Sequence, residues 1–461
     1  MRQHRLRHHR ALAAIAALVL VVSGCGRDGS GGTEDGAPVA GASADFGTLK
    51  GLCGPGKQTL APVQGVTADE IKVGTLTDQG YDKRGDYADA AKVFTSWCND
   101  AGGINGRKLT ATIRDAKLME VRQRMLEACR EDFFLVGGGS ALDSLGVKDR
   151  LSCMLPALPA TTTMVENTGS DLQVSPWGGA SYSRYAGYFT WLLKEAYPGS
   201  AGAVGSIVGD SPVTKVLNEQ VKETVESAGG TFSYSDTYPT AGIADWTPYA
   251  QAIKSKKVKG LVFYGNFTDL VKLELALTNL NYRLDWIDAN AYSYGPAFLK
   301  LAGKAIGFQN NLADIGGVHP LESASSSPAT QQLIDLFAKY APGAPVSLGA
   351  VRAFTAFVLF AKAAGSCGDD LTRKCAYEAV LKESAWTAGG LLAPIDLSQI
   401  DAPLKCFNVE QATPDGWKPA DFKPNQGAFR CDAPVYKLTR SYVKPMKLED
   451  VGRSMADLET R

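Results

Sequence analysis

The sequence predicts an α/β protein with two lobes, each built on a mostly parallel sheet flanked by helices. After residue 66, short apolar β-rich runs alternate with helical patterns, which is typical of parallel sheets covered on both faces. The alternation restarts near residue 182, so we expect a second sheet. The 461 residues, 45% of them hydrophobic, are enough for roughly two or three domain-sized units with substantial cores.

The first run of the pattern contains four strands, and it opens with the β-rich segment IKVGTLT. Glycines and polar residues separate the strands from the helices that follow them. The predicted strands are 71–77, 109–115, 133–136 and 153–157, and the predicted helices among them are 87–99 and 117–130.

The second run begins with a helix and continues the same alternation. Two further helical patterns follow it, and the tail from residue 401 is rich in loops and proline. The predicted strands are 203–209, 260–264 and 284–288, and the predicted helices are 182–197, 213–228, 269–280, 331–340 and 351–364.

The N-terminal residues read as a secretory signal. Arginine and histidine crowd residues 1–10, and the apolar run 11–22 would span about 18 Å as a helix, too short for a bilayer. The run ends in Val-Ser-Gly-Cys25, which resembles a bacterial lipobox whose cysteine is lipidated. An ordinary signal with a chance cysteine is the alternative. We predict a signal peptide at 1–24 and a lipidated Cys25 opening a flexible tether, 25–65.

Composition excludes several classes of function. Basic and acidic residues number 48 each, so the chain lacks the basic footprint of a nucleic-acid binder. Beyond the leader only one histidine remains, His319, which excludes a His-cluster metal site and argues against His-based catalytic triads. We therefore predict no metal and no cofactor.

Eight cysteines remain beyond Cys25, and an even number in an exported protein predicts disulfides. A cysteine-based metal site is disfavoured because no C-x-x-C occurs. Two pairs bracket short loop regions, a third pair falls late in two successive predicted helices, and the fourth follows by elimination. The predicted pairs are Cys367–Cys375, Cys406–Cys431, Cys98–Cys129 and Cys53–Cys153.

Residues 100–109, DAGGINGRKL, resemble the helix-to-strand turn of the type 1 periplasmic binding proteins, most closely the Leu/Ile/Val-binding-protein family of ABC-importer receptors. Further markers follow in the order that the family shows, and the resemblance covers about residues 66–398. They are IKVGTLTD at 71–78, LVGGGS at 135–140, LPATT at 158–162, SIVGD at 206–210 and VFYGN at 262–266.

The resemblance implies a two-lobed clamshell in which the chain crosses between the lobes three times and the ligand lies in the cleft between them. The boundaries of the family's lobes can be transferred to this sequence. Lobe 1 would comprise 66–176 plus 318–385, lobe 2 would comprise 177–317 plus 386–443, and the tail would be 444–461.

In lobe 1 the resemblance implies that two loops grip a ligand carboxylate, one at Ser140 and Ala141 and one at Ala160, Thr161 and Thr162. Ligands of open α/β sheets bind beyond the carboxyl ends of strands, where these loops are expected. The alternative is that the hydroxyl groups only cap helices. Tyr81 matches a family position where an aromatic residue lines the cleft.

In lobe 2 the family position of a glutamate that binds the ligand ammonium falls on Asn290. An amide cannot compensate a buried ammonium as a carboxylate does, although Asp288 and Asp210 are candidate substitutes. Phe267 falls where the family often has tyrosine, and Tyr182 and Tyr292 add aromatic surface. This cleft favours an apolar or aromatic carboxylate, an amide or another neutral solute.

Three functions compete. The resemblance implies a solute receptor, monomeric and held by its lipid outside the cytoplasmic membrane, that delivers a small molecule to an ABC permease and ATPase encoded as separate chains. A ligand-sensing lipoprotein of the same fold without transport is the alternative, and an extracellular hydrolase is a remote one because triad elements are missing. We expect no enzyme activity and no nucleic-acid partner.

Overall fold

A computed structural model describes residues 44–56, 63–440, 442 and 444–460. The predicted signal peptide and the predicted lipidation site, Cys25, lie outside the described residues. The strands are β1 (Glu70–Thr77), β2 (Lys108–Asp115), β3 (Phe134–Val136), β4 (Ala157–Leu158), β5 (Val204–Gly209), β6 (Phe232–Tyr238), β7 (Gly260–Tyr264), β8 (Trp286–Asp288), β9 (Asn311–Asp314), β10 (Val409–Thr413) and β11 (Gly416–Pro419).

Helices flank these strands. They are α1 (Gln79–Asp82), α2 (Asp86–Asp100), α3 (Val121–Glu131), α4 (Val147–Ser152), α5 (Ala186–Trp191), α6 (Pro212–Ser227), α7 (Thr247–Ser255), α8 (Phe267–Asn279), α9 (Pro296–Ala302), α10 (Pro328–Tyr340), α11 (Leu348–Cys367) and α12 (Arg373–Val380). A π-helical turn, Leu192–Ala196, continues α5.

Two sheets form, as the sequence predicts. The first is wholly parallel, with strand order β2-β1-β3-β4, and we call the part of the chain built on it lobe 1. The second has the order β11-β10-β9-β8-β7-β5-β6 and defines lobe 2. Its strands β5 to β9 are parallel, while β10 and β11 run antiparallel. The α/β clamshell prediction is confirmed.

The second sheet extends further than the sequence indicated. The tail that we expected to be loops contains the β10–β11 hairpin, which pairs with β9. The strand expected at 153–157 is also displaced, because β4 comprises only Ala157 and Leu158. Cys153 ends α4 instead.

Helix α11 lies in the core of the molecule. Sixteen of its twenty residues are buried, and it packs along α2 and α12. Among the described residues, the segment Leu348–Asp370 is the one stretch long and apolar enough to cross a membrane, and 83% of its most apolar window is buried inside the protein. We interpret α11 as a core helix because its apolar surface is already covered by protein.

The predicted tether, 25–65, includes residues that pack against lobe 1. Phe46 is fully buried, and its ring lies 5.9 Å from that of Trp97 and 5.1 Å from that of Phe354. Farther along the same segment, Cys53 is bonded to Cys98 at the end of α2. Residues 44–56 are therefore part of the folded protein, not of a free tether.

Two of the four predicted disulfides are wrong. The structure contains Cys367–Cys375 and Cys406–Cys431, which confirms those pairs. Cys53 pairs with Cys98 and Cys129 pairs with Cys153, so the predicted Cys98–Cys129 and Cys53–Cys153 bridges do not form. The reason is packing: α3 contacts α4, which brings the end of α3 to Cys153, whereas the end of α2 faces the N-terminal segment.

Candidate functional site

The loops that follow the parallel strands of both lobes meet at the carboxyl ends of those strands. Thr161 follows β4 in lobe 1, Tyr292 follows β8 in lobe 2, and their hydroxyl oxygens lie 2.7 Å apart. This hydrogen bond joins the two lobes. We call the surrounding region the cleft and define it by Thr161, Thr162, Trp177, Arg184, Tyr292 and Arg352.

A second contact crosses the cleft. Arg184, just before α5, donates from Nη2 to Thr162 Oγ1 at 3.2 Å. The structure thus brings together three of the residues predicted from the sequence, Thr161, Thr162 and Tyr292, and adds an arginine to them. The neighbouring Ala160 is fully buried, and its N–H donates to the Gly138 carbonyl at 2.8 Å.

The other predicted lobe 1 loop is occupied by a carboxylate of the chain itself. Asp78 Oδ2 accepts hydrogen bonds from Ser140 Oγ at 2.9 Å and from the Ala141 N–H at 2.7 Å. Its Oδ1 accepts from the Leu118 N–H at 2.8 Å. The two groups that the sequence assigned to a ligand carboxylate therefore already have an anionic partner.

Asp143 fixes the loop that carries Thr161 and Thr162. Its carboxylate accepts from the N–H groups of Thr163 and Met164, both at 2.9 Å, and from Asn167 Nδ2 at 2.7 Å. Burial raises the pKa of Asp143 to about 6, even though these hydrogen bonds lower it. The loop is thus held from within lobe 1, which leaves the hydroxyl groups of Thr161 and Thr162 to meet lobe 2.

The predicted lobe 2 residues have partners of their own. Asp210 is exposed and forms an ion pair with Lys215. Asn290 has a left-handed backbone with φ of 52°, and its side-chain oxygen accepts from the Tyr292 N–H at 2.9 Å. Asn290 therefore positions Tyr292, the residue that reaches lobe 1.

Two predicted aromatic residues take no part in the hydrogen bonds between the lobes described above. Phe267 begins α8 and packs edge-on against Phe298, with ring centroids 6.3 Å apart. Tyr81 is 63% exposed in α1. Tyr182, in contrast, lines a small cavity beside Arg184.

Arg352 is a cleft residue that the sequence prediction missed. It lies on α11, and its guanidinium carbon stands 4.5 Å from the Trp177 ring centre. Within the described residues, this guanidinium forms no hydrogen bond or ion pair, and its Nε is buried without a partner. The sequence does contain a signal for this residue: Arg352 is the only charged residue in the apolar run LGAVRAFTAFVLFA from 348 to 361.

Arg184 is the second arginine that was missed. Its one hydrogen bond within the described part of the chain is the contact to Thr162. Burial lowers the pKa of Arg184, and the nearby charge of Arg352 lowers it further. Among the described residues, neither of these two guanidinium groups has a carboxylate within ion-pair distance, and the two interact electrostatically with each other.

Two buried aspartates lie at strand ends of lobe 2. Asp288 Oδ1 accepts from the Asn290 N–H at 3.1 Å, and Asp314 Oδ1 accepts from the Gly316 N–H at 2.9 Å. Burial raises the pKa of each carboxyl to about 7. Asp314 also interacts electrostatically with Arg352, although it does not reach ion-pair distance.

Two cavities flank the interlobe region. One, of about 60 Å³, lies beside the cleft, and its lining includes Thr162, Tyr182, Arg184, Tyr185 and Tyr264. The other, of about 710 Å³, lies where the chain crosses between the lobes, and its lining includes His319, Ser326, Gly389, Glu410 and Phe429. The single histidine beyond the leader therefore belongs to the crossover region, with Nδ1 3.1 Å from the Pro320 carbonyl oxygen.

Comparison with known proteins identifies the family. The sequence profile of a family described as periplasmic binding protein matches residues 70–406. None of the curated protein sequences compared with the chain matches it. Many solved structures share the fold, and three of them represent the range.

The first is a fatty acid ABC transporter substrate-binding protein from Thermomonospora curvata, with 18% identity and a TM-score of 0.65 over 80% of this chain and 97% of that one. The second is a branched chain amino acid ABC transporter from Thermus thermophilus with bound valine, with 15% identity and a TM-score of 0.63 over 76% and 96%. The third is an ABC transporter solute binding protein from R. palustris in complex with benzoate, with 15% identity and a TM-score of 0.60 over 80% and 98%.

These similarities agree with the topology described above. The profile match runs from β1 through β9 and ends at Cys406, before the β10–β11 hairpin begins at Val409. The solved structures are aligned over nearly their whole length. The chain belongs to the periplasmic binding protein family.

Proposed function

We propose that this protein is an extracytoplasmic, lipid-anchored receptor that binds a small molecule in the cleft and delivers it to an ABC importer. The ligand is amino-acid-like, an amide, or an aromatic or aliphatic carboxylate. The observation that carries the proposal is the hydrogen bond between Thr161 and Tyr292, because it joins the strand-end loops of the two lobes where a clamshell receptor encloses its ligand.

Binding alone supplies the mechanism. The cavity beside Arg184 measures about 60 Å³, which is room for a few water molecules and not for a solute of amino-acid size. A solute therefore enters while the lobes are apart. It then favours the closed arrangement through its contacts with both lobes, since a ligand shifts a conformational equilibrium only by its differential affinity for the two states. The closed receptor docks on a separate permease chain.

The ligands of the similar structures support this range. One protein is described as a fatty acid receptor, another has bound valine and a third is in complex with benzoate. All three ligands carry a carboxylate. The fold therefore accommodates carboxylate ligands whose apolar parts differ in shape. The residues in the cleft of this chain determine which of these ligands it binds.

A thermal-shift screen over amino acids, amides, aliphatic acids and aromatic acids tests the proposal. A specific ligand raises the melting temperature by mass action. Solution scattering with the best ligand then measures shape, and we expect a smaller radius of gyration when ligand is bound. If ligand binds tightly and the shape stays constant, the clamshell mechanism is excluded for this protein.

A further inference from the structure

We infer that the cleft selects organic carboxylates without an ammonium group, and that Arg184 and Arg352 bind the carboxylate. The inference rests on the proposed function, because it assigns a chemical class to the ligand of the same cleft. It differs from amino-acid recognition in both halves of the site: the anion meets guanidinium groups, and each acid described near the cleft already interacts with another group of the chain.

The first half of the argument concerns uncompensated positive charge. Arg352 stacks on Trp177 at 4.5 Å, and its buried Nε has no hydrogen-bond partner among the described residues. Arg184 donates one hydrogen bond, to Thr162, and its other N–H groups have no acceptor among the described residues. A partly buried guanidinium without an acceptor is costly, and a carboxylate ligand would satisfy it with two parallel, charge-assisted hydrogen bonds. Arg184 and Arg352 interact electrostatically, and two positive groups within this range attract an anion more strongly than one.

The second half concerns the missing acceptor for an ammonium group. Asp210 is paired with Lys215, and the Asn290 side-chain oxygen is held by the Tyr292 N–H. Asp288 Oδ1 accepts from the Asn290 N–H, and burial raises the pKa of Asp288 to about 7, so its charged form is disfavoured. Asp314 Oδ2 is buried without a hydrogen-bond partner among the described residues, but this carboxyl interacts electrostatically with Arg352, and an ammonium group placed beside it would be repelled by that guanidinium. A zwitterionic amino acid would therefore bury its ammonium without compensation.

Aromatic side chains supply surface for an apolar ligand body. Tyr185 and Tyr264 line the cavity beside Arg184, and Tyr292 reaches across from lobe 2. Tyr87 lies close enough to interact electrostatically with both Tyr292 and Arg352. Flat rings on several sides favour an aromatic or branched aliphatic chain attached to the carboxylate.

Matched pairs of ligands test the inference. Titration calorimetry compares 3-phenylpropanoate with L-phenylalanine and 4-methylpentanoate with L-leucine, because the members of each pair differ only in the ammonium group. We expect at least one acid to bind, and to bind at least tenfold more tightly than its amino acid. Arg352→Gln and Arg184→Gln should each weaken binding of that acid at least tenfold, since each removes a hydrogen bond to a charged group.

Two further variants separate charge from folding. Arg122→Gln removes a guanidinium that is 71% exposed on α3 and paired with Asp149, so ligand affinity should not change. Arg352→Lys keeps the charge and loses the planar fork, so affinity should fall between that of the native protein and that of Arg352→Gln. Thermal melting of the ligand-free variants checks that each one folds.

The outcomes are distinct. Equal or tighter binding of the amino acids overturns the inference and leaves the proposed function intact. Acid binding that survives both glutamine variants overturns the assignment of the arginines. If neither acid binds while the wider screen finds another ligand, the inference is wrong and the receptor function stands; if the wider screen finds no ligand, the proposed function itself fails.

Discussion

Asp78 and Arg352 represent the two kinds of residue that surround the cleft. Asp78 occupies the hydroxyl and amide donors of Ser140 and Ala141, so that loop is complete without a ligand. Arg352 lacks a hydrogen-bond partner within the described residues. A ligand gains more from a group whose hydrogen bonds are missing than from one whose partner it must displace.

The interlobe hydrogen bond gives a prediction at the residue scale. Tyr292→Phe and Thr161→Val should each lower the unfolding free energy by about 0.5–1.5 kcal/mol. The double variant should lose less than the sum, because both substitutions remove the same hydrogen bond. Urea denaturation of the four proteins, each saturated with the best ligand of the thermal-shift screen so that the lobes are closed, measures the coupling. As a control, Tyr81→Phe changes a residue that is 63% exposed in α1, and its effect on the unfolding free energy should add to that of Thr161→Val. If the effects of Tyr292→Phe and Thr161→Val are strictly additive, the contact between these two residues is contradicted.

A buried acid in lobe 2 gives a second prediction. Glu274 on α8 is fully buried, and its carboxyl accepts from Asn311 Nδ2 at 2.9 Å. Burial raises its pKa from 4.5 to about 8. Between these values the folded protein holds a proton that the unfolded chain has released, so this residue makes the unfolding free energy fall as pH rises, by up to about 1.4 kcal/mol per pH unit.

Glu274→Gln should remove that contribution. The variant should gain stability relative to the native protein as pH rises from 4.5 to 8, with a constant difference above that range. Chemical denaturation at several pH values measures it. Glu378→Gln on α12, which changes a side chain 50% exposed, is the matched control and should leave the slope unchanged. Parallel stability curves for Glu274→Gln and the native protein would refute the assignment.

The sequence predicts cleft residues where they lie in loops that directly follow a recognisable strand. Thr161, Thr162 and Tyr292 follow buried strands, so their placement at the strand ends could be read directly. Arg184 and Arg352 could not be found in this way, because both lie in helical patterns where an arginine ordinarily faces solvent. Their meeting depends on how the lobes pack, which local sequence does not encode.

Whole strands also differ in whether the local sequence predicts them. Strands β1, β5 and β7 consist mostly of buried residues, and they were predicted within one residue. Strand β6 was missed because it lies at the edge of its sheet with mostly exposed or half-exposed residues, so its sequence FSYSDTY lacks a buried face. The β10–β11 hairpin was missed because its pairing partner, β9, lies far away in the sequence.

The N-terminal segment gives a prediction at the element scale. Phe46 is fully buried against Trp97 and Phe354, so Phe46→Ala should lower the unfolding free energy by about 3–5 kcal/mol. Phe46→Leu, which keeps most of the volume, should cost less. Urea denaturation measures both. A change below about 0.5 kcal/mol for the alanine variant would indicate that the segment does not pack against lobe 1 in solution.

At the scale of the whole molecule, two lobes share one cleft and the chain passes between them repeatedly. Gly316, two residues after the end of β9, has φ of 68°, a conformation that glycine adopts at little cost. Glycines at such crossings allow changes in backbone angle during closure. The large cavity of about 710 Å³ lies in this region, so we expect its volume to change when the lobes move.

The proposed anchor gives a prediction for the whole molecule in the cell. Cys25→Ala should abolish lipidation and either release the protein from the membrane or stall its processing. Membrane fractionation and mass spectrometry of the mature N terminus measure this, with Ser23→Ala as a control that retains the cysteine. Unchanged membrane retention and normal maturation of Cys25→Ala would exclude the lipobox interpretation.

The Cys53–Cys98 bridge also determines how the folded protein bears tension. A pull applied to the chain before residue 44 first meets Phe46, and then the covalent bond to the end of α2. The bond transfers the load into lobe 1 at Cys98, so the chain beyond Cys53 cannot be peeled away one residue at a time. Force spectroscopy should therefore show an early, reversible detachment of residues 44–52 followed by a stiff response, and reduction of the bridge should lengthen that first extension.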